Sequence, residues 1–269
     1  MAFDPDLAKT ISLEGRVAVI TGAASGFGAE ASRLFARAGA RVVLADLNEA
    51  GAAATAAQVR EAGGEASVMR TDTANRDEVD ALAEAAVKEF GSVDIWLNIA
   101  GVSVWKPIFE TSAEDAERTL AVNTMGVYWG CAAAARVMQA QGKGGAIVNI
   151  SSAGGTSPVA GLASYCMSKA AVNMLTKVCA LEFGVFGVRV NAVAPGWIET
   201  AMARKPFVDA SGATDEAGLE AMRAAQAAAS PLGINGSTQD IALALLYLAS
   251  DASRFVSGQV LTVNGGVSM

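Results

Sequence analysis

Seven short apolar runs, rich in β-branched residues, recur along this chain. The stretches between them are rich in alanine and spaced like helices. The runs lie at 16–21, 41–46, 66–72, 93–100, 146–151, 188–194 and 259–264. Each is apolar nearly throughout rather than alternating, as expected of strands covered on both faces in a parallel sheet. Leu34, Phe35 and Ala38 mark one apolar helical stripe, and Val79, Leu82, Ala86 and Val87 mark another. This alternation predicts an α/β fold: one doubly wound parallel sheet of about seven strands with helices on both faces. The 269 residues fit a single domain of that kind. Hydrophobic residues make up 52% of the chain, enough for a full core. No run of about 18 uninterrupted apolar residues occurs, which excludes a transmembrane helix.

One segment breaks the rhythm. Residues 197–236 follow the sixth strand and hold Trp197, Met202, Phe207 and Met222 among Gly, Ser, Pro and Asp. An ordinary connection takes about 2–6 residues. Ligands of open α/β sheets bind at the carboxyl ends of strands, so a segment leaving such an end reads as a substrate lid. The alternative is a surface excursion with its own helix.

After the first strand stands Thr21-Gly22-Ala23-Ala24-Ser25-Gly26-Phe27-Gly28, leading into an apolar helix. Glycines there permit a tight turn and let backbone N–H groups approach a pyrophosphate at the positive end of the helix. Asp46 ends the second strand, 20 residues beyond Gly26. A carboxylate at that place can accept hydrogen bonds from adenosine ribose hydroxyls and repels a 2′-phosphate. No Lys or Arg lies between Gly22 and Gly28. Both features favour NAD over NADP. A helix cap before 48–60 is the competing role for Asp46. Asp72, closing the third strand, could cap the next helix or touch the adenine amine.

The chain contains no histidine. A Ser-His-Asp triad, a Cys-His dyad and a His metal site are therefore excluded, and proton chemistry falls to Asp, Glu, Lys, Tyr or Cys. After the fifth strand come Ser151 and Ser152, then Tyr165 and Lys169 on a helix beginning at 162. The spacing i, i+4 puts Tyr165 and Lys169 on one face. An ammonium beside a phenol favours phenolate and lowers the tyrosine pKa. Cys131, Cys166 and Cys179 are unpatterned and sit in apolar surroundings, so each reads as core packing in a reducing compartment. Residues 1–12 lack the basic start and apolar stretch of a secretory leader. A cytoplasmic site is the expectation. Lys and Arg total 20 against 27 Asp and Glu, a net charge of −7, with no basic cluster. That argues against a nucleic-acid or anionic-membrane partner.

These residues together resemble the short-chain dehydrogenase/reductase family. The matching set is Thr21-Gly-x3-Gly-x-Gly, Asp46, Asp72, Asn98-x-Ala100-Gly101, Asn123, Ser152, Tyr165-x3-Lys169, Pro195-Gly196 and Gly265-Gly266. They run in family order over nearly the whole chain. The resemblance implies a Rossmann-type fold and an NAD-preferring dehydrogenase acting on a secondary alcohol or ketone. It implies that Tyr165 is the general acid/base and that Ser152 holds the substrate oxygen. Lys169 would lower the Tyr165 pKa and bind the nicotinamide ribose, and Asn123 would hold a water linking Lys169 to solvent. Ser151 is the competitor for the role of Ser152. For Asn123 the competing reading is a satisfied polar residue inside an apolar helix. The implied cofactor contacts are Gly22, Ser25, Gly26, Phe27, Gly28, Asp46, Leu47, Asp72, Thr73, Asn98 and Ala100. Tyr165, Lys169, Pro195, Gly196, Ile198 and Thr200 complete that set. Ile99 departs from the usual second Asn, so one hydrogen-bonded stitch near the cofactor must be made otherwise.

Candidate substrate contacts are Val102, Val104, Trp105, Pro158, Val159, Trp197, Met202 and Phe207, a mostly apolar lining that suits hydrophobic or cyclic alcohols and ketones. The resemblance also implies a homotetramer or dimer, joined through two Ala-rich helices near 115–141 and 162–183. An NADP-dependent carbonyl or acyl-thioester reductase, a non-catalytic NAD-binding sensor and a halohydrin-eliminating enzyme are the alternatives. Asp46 stands against the first, the intact Ser152, Tyr165 and Lys169 set against the second, and the Gly-rich turn with Lys169 against the third.

Overall fold

All seven apolar runs pair in one parallel sheet of order β3-β2-β1-β4-β5-β6-β7. The structure, a computed structural model, describes residues 5–209 and 211–268. The strands are β1 (Val17–Thr21), β2 (Arg41–Asp46), β3 (Ala66–Arg70), β4 (Ile95–Asn98), β5 (Gly145–Ile150), β6 (Val188–Pro195) and β7 (Val260–Val263). β1, β2, β4 and β5 lie almost wholly out of solvent, as their unbroken apolar sequences require. From β1 the chain moves outward through β2 to β3, then returns to the other side of β1 for β4. The order therefore reverses between β1 and β4, and the carboxyl ends of those strands flank an open crevice.

The α-helices are α1 (Pro5–Ile11), α2 (Gly26–Arg37), α3 (Glu49–Glu61), α4 (Arg76–Phe90), α5 (Ala113–Leu120), α6 (Gly126–Gln141), α7 (Ala163–Phe183), α8 (Ala201–Arg204), α9 (Glu216–Ala229) and α10 (Thr238–Ala249). One side of the sheet packs against α2, α3 and α10 through Phe35, Ala56, Val59, Ile241 and Leu245. The other side packs against α4, α6 and α7 through Val79, Leu82, Cys131, Met138 and Val172. The stripe expected on α4 is buried at Val79, Leu82 and Ala86, but Val87 turns out to solvent. Cys131 and Cys179 are buried, whereas Cys166 is only partly so.

Several expected elements are shorter or broken. β3 ends at Arg70, and β4 spans only Ile95–Asn98. Beyond β4 the backbone leaves the ladder because other groups claim it. Ile99 N and Ala100 N donate to Thr21 Oγ1 at 3.0 and 3.2 Å. The single helix expected near 115–141 is α5 and α6 joined by one π turn at Ala121–Met125. Such turns add a residue to a helix and often mark functional positions. Asn123 lies inside this one, fully buried.

Candidate active site

The crevice beyond β1 and β4 is a cleft of about 580 Å³. At one end it is lined by Gly22, Ser25, Gly26, Phe27, Asp46 and Leu47, and at the other by Tyr165 and Lys169, with Thr200 and Met202 along its open side and Thr200 beside Gly26. Thr71, Asp72, Thr73, Ala74, Ala100, Gly101, Val102, Arg118 and Val122 form the wall between.

The glycine-rich end is held by close approach. A Cβ at Gly22, where φ is +69°, would sit 2.8 Å from Ala100 N. A Cβ on Gly28 would fall onto Gly22 O. No other residue fits at Gly28 without moving the turn. Gly28 therefore shapes the turn from behind rather than lining the cleft. Ser25 is the N-cap of α2 but makes no side-chain cap hydrogen bond. The orphan N–H groups of the first turn are thus left to an outside acceptor. Asp46 is oriented by two backbone donors: Ala24 N reaches Oδ2 at 2.9 Å and Asn48 N reaches Oδ1 at 2.8 Å. Asn48, not Asp46, caps α3. A bare, glycine-narrowed helix start and a fixed carboxylate in one cleft fit the pyrophosphate and adenosine ribose of a dinucleotide.

At the other end Ser152 follows β5 and α7 carries Tyr165 and Lys169. The Ser151 hydroxyl is spent in the core, donating to Asn173 Oδ1 at 2.5 Å and to Lys169 O at 3.2 Å. The Ser152 hydroxyl instead accepts from Gly154 N at 3.1 Å and stands near enough to Tyr165 to lower its pKa in part. Lys169 Nζ lies 5.6 Å from the centre of the Tyr165 ring and donates to Ile150 O at 2.8 Å. Burial pushes the Tyr165 phenol above its ordinary value, an effect only partly opposed by Ser152. Burial lowers Lys169 to about 8. The phenol lowering expected from the nearby ammonium is therefore not found. Desolvation of the phenol dominates its shift, and Lys169 directs its ammonium at a backbone carbonyl.

Asn123 ties the cleft wall to α7. Its Nδ2 donates to Val102 O at 2.9 Å and to Ser168 Oγ at 3.1 Å, while Oδ1 accepts from Val102 N at 2.8 Å. At Ile99 the backbone is held by Thr21, whose hydroxyl accepts from Ile99 N and Ala100 N and donates to Leu97 O at 3.2 Å.

Several expected contacts lie elsewhere. The Asn98 side chain is buried behind the strands, accepting from Trp96 Nε1 at 2.8 Å and donating to Asn149 Oδ1 at 2.9 Å. It props β4 against β5 rather than facing the cleft. Gly196 is taken up by the last strand, donating to Val263 O at 3.0 Å. Pro195 is buried at the end of β6. Trp197 and Ile198 line a separate cavity of about 190 Å³ beneath Leu232 and Ile234. Of the residues expected after β6, only Thr200 and Met202 reach the main cleft. Phe207 packs near Gly218 of α9. Trp105, 43% exposed, lies near Gly161, where Lys106 N donates to Gly161 O at 2.9 Å and joins the loops after β4 and β5. Val104, Val159 and Trp105 are thus outside the cleft wall itself. Sequence reasoning missed Thr71, Ala74, Arg118 and Val122. The helical spacing of Arg118 and Val122, i and i+4, is the one signal that could have found them together.

Comparison with known proteins agrees with this architecture. The family model described as enoyl-(acyl carrier protein) reductase matches residues 22–268. The chain is 38% identical over 258 residues to 3beta-hydroxysteroid dehydrogenase 1 of Eggerthella lenta, covering 96% of this chain and 95% of that one. It is 42% identical to cis-4-hydroxycyclohexanecarboxylate dehydrogenase of Sinomonas cyclohexanicum, covering 93% and 96%. A solved 7 alpha-hydroxysteroid dehydrogenase, complexed with NADH and 7-oxo glycochenodeoxycholic acid, superposes with a TM-score of 0.88 at 34% identity over 98% of both chains. The chain belongs to the short-chain dehydrogenase/reductase family. It is an oxidoreductase of a class that acts on CH–OH groups with a nicotinamide cofactor.

Proposed function

We propose that this protein is an NAD-dependent dehydrogenase that interconverts a hydrophobic or cyclic secondary alcohol and its ketone. The observation that carries the reading is one cleft with Asp46 at one end and Tyr165 and Lys169 at the other. Asp46 is held ready to accept from ribose hydroxyls, and its charge opposes a 2′-phosphate. The turn from Gly22 to Gly28 and the start of α2 would hold the pyrophosphate, and Asp72 and Thr73 the adenine side. Lys169 and Thr200 would hold the nicotinamide half. When bound, the nicotinamide gives or takes the hydride.

The chain's own residues supply orientation and the proton. Ser152 would hydrogen-bond the substrate oxygen and hold it beside Tyr165. Tyr165 would give a proton to that oxygen in reduction and remove it in oxidation. Lys169 would support the phenolate once formed, and Asn123 would keep a water-linked path from Lys169 to solvent. The segment 197–236 would cover the substrate, with Val104, Trp105, Val159 and Met202 at its rim. Relatives that are named for ring hydroxyls support the cyclic class. The neutral phenol at ordinary pH, raised by burial, suits Tyr165 as a proton donor.

The exposed side chains Met174, Val178 and Leu181 make an apolar stripe on α7. It supports assembly into a dimer or tetramer through α6 and α7, which sedimentation measures. No described helix is long and apolar enough to cross a membrane. The three free cysteines support a reducing, cytoplasmic site, and the net charge of −7 supports a small-molecule partner rather than a nucleic acid.

The test is reduction of NAD and of NADP by purified protein over aliphatic, cyclic, aromatic, sugar and steroid alcohols. Turnover with NAD on cyclic alcohols is expected. Turnover with NADP alone would replace this reading by that of an NADP-dependent carbonyl or acyl-thioester reductase. Tight binding of NADH without turnover would favour the sensor.

A further inference from the structure

The lid helix α9 is poorly anchored by packing. Leu219 is its only buried residue among the described ones. What joins it to the cleft is charge. Glu199 stands between Ile198 and Thr200, and its carboxylate receives a two-pronged contact from Arg223 of α9. Nε reaches Oε2 at 2.7 Å and Nη2 reaches Oε1 at 2.9 Å. Bidentate pairs of this kind fix direction as well as distance.

The neighbour of Glu199 explains why this direction matters. Thr200 caps α8 by accepting from Ala203 N at 3.3 Å, and a Cβ on Gly26 would lie 3.6 Å from its methyl group. Thr200 thus closes over the glycine-rich turn, and Met202 follows it into the cleft. The segment that follows α9 is tied to the same arginine. Asn235 Nδ2 donates to Arg223 O at 3.0 Å, and Ile198 bridges Gly236. Arg204 adds a second, looser contact to Glu199 at 3.4 Å and also pairs with Glu216 at 3.2 Å.

We propose that Glu199 and Arg223 form a clamp that seats Thr200 over the dinucleotide, so that they are positioning residues governing cofactor residence. The proposal rests on the dehydrogenase reading. Neither side chain lines the cleft, so the pair acts through Thr200 and Met202 and leaves the proton chemistry at Tyr165 alone. Release of reduced cofactor is the step it controls, as lid opening does in many enzymes.

The experiment is a cycle of E199Q, R223M and the double variant. Release of whichever reduced dinucleotide the wild type binds is followed by its fluorescence. Single-turnover hydride transfer and thermal melting are measured alongside. Each single change is expected to speed release by roughly three- to tenfold, since a partly exposed bidentate pair is worth somewhat more than an ordinary surface pair. E199Q should exceed R223M, because Arg204 still serves Glu199 in R223M. The double variant should release no faster than E199Q, the mark of two residues acting as one. Hydride transfer in a single turnover should change less than about twofold. Release unchanged in both single variants, or effects that multiply in the double, would overturn the clamp. Loss of hydride transfer in proportion to a fall in melting temperature would show a merely structural pair and overturn it too. A wild type that binds neither NADH nor NADPH would sink the dehydrogenase reading itself, which is a distinct result.

Discussion

The two walls of the cleft are built by opposite means. The wall from β1 through α2 to β2 is backed by fully buried side chains and by Gly22 and Gly28, where a Cβ would run into backbone. The wall from 197 to 236 has one buried anchor in α9, none in α8, and a network of Glu199, Arg204, Glu216, Glu220 and Arg223. Packing is short-ranged and steep, so the first wall has one shape. Partly exposed ion pairs are shallow and screened, so the second can shift. A site that must orient its dinucleotide closely and yet let it in and out gains from having one wall of each kind.

Four measurements sharpen or break that contrast. The largest effect belongs to the chemistry between the walls. Tyr165→Phe should cut turnover by about 10³-fold or more while dinucleotide binding stays within about threefold, as expected for a proton-transfer group. Equal loss of binding, read by fluorescence titration, would make Tyr165 part of a wall instead.

Next comes the rigid wall. Gly28→Ala drives a methyl into the Gly22 carbonyl and should cost about 1–3 kcal/mol of stability with a larger loss of dinucleotide binding. Urea melts and titration check it. A well-folded variant that binds normally would show that the turn yields as readily as the lid.

Lys169 provides a third test, through pH. Its pKa falls from an ordinary 10.5 to about 8 through burial, so the folded state gives up this proton before the unfolded chain does. The associated stability is present above the unfolded pKa and is lost as pH falls through about 8. Wild type should therefore gain about 2 kcal/mol on Lys169→Met between about pH 7.5 and about pH 9.5 in paired urea melts. A constant difference across that window would mean that Lys169 is charged and solvated in the fold.

The smallest effect is on the charged wall. Raising salt to about 0.5 M should speed release of reduced cofactor less than about threefold and leave melting of the domain nearly unchanged. A large fall in melting temperature would mean that the ion pairs support the fold and not only the lid.

The sequence made local features legible and left long-range pairings hidden. The strand–helix rhythm, the turn at Gly22, Asp46 and the Tyr165–Lys169 spacing are each contained in a few residues or one helical turn. Periodicity and residue type report such features directly. Thr21 holding the backbone at Ile99, Asn98 facing Trp96 instead of the cleft, and Trp197 entering the second cavity depend on which way a chain turns after it leaves a strand. The Glu199–Arg223 contact joins residues whose meeting depends on the path of the whole lid. The direction of the Tyr165 shift is hidden from the sequence for a related reason. Charge proximity can be read from spacing, whereas burial needs the fold.

The π turn at Ala121–Met125 takes up one residue more than a regular helical turn while α5 and α6 keep their phase. An ideal α-helix turns about 100° per residue, so the same extra residue without a widened turn would swing the face of α6 that carries Val127, Cys131 and Met138 out of the core. The widened turn spares the core that rotation and gives the extra length to the cleft side, where Asn123 holds both Val102 and Ser168. Removing one residue there would leave the core in register and loosen the cleft wall instead.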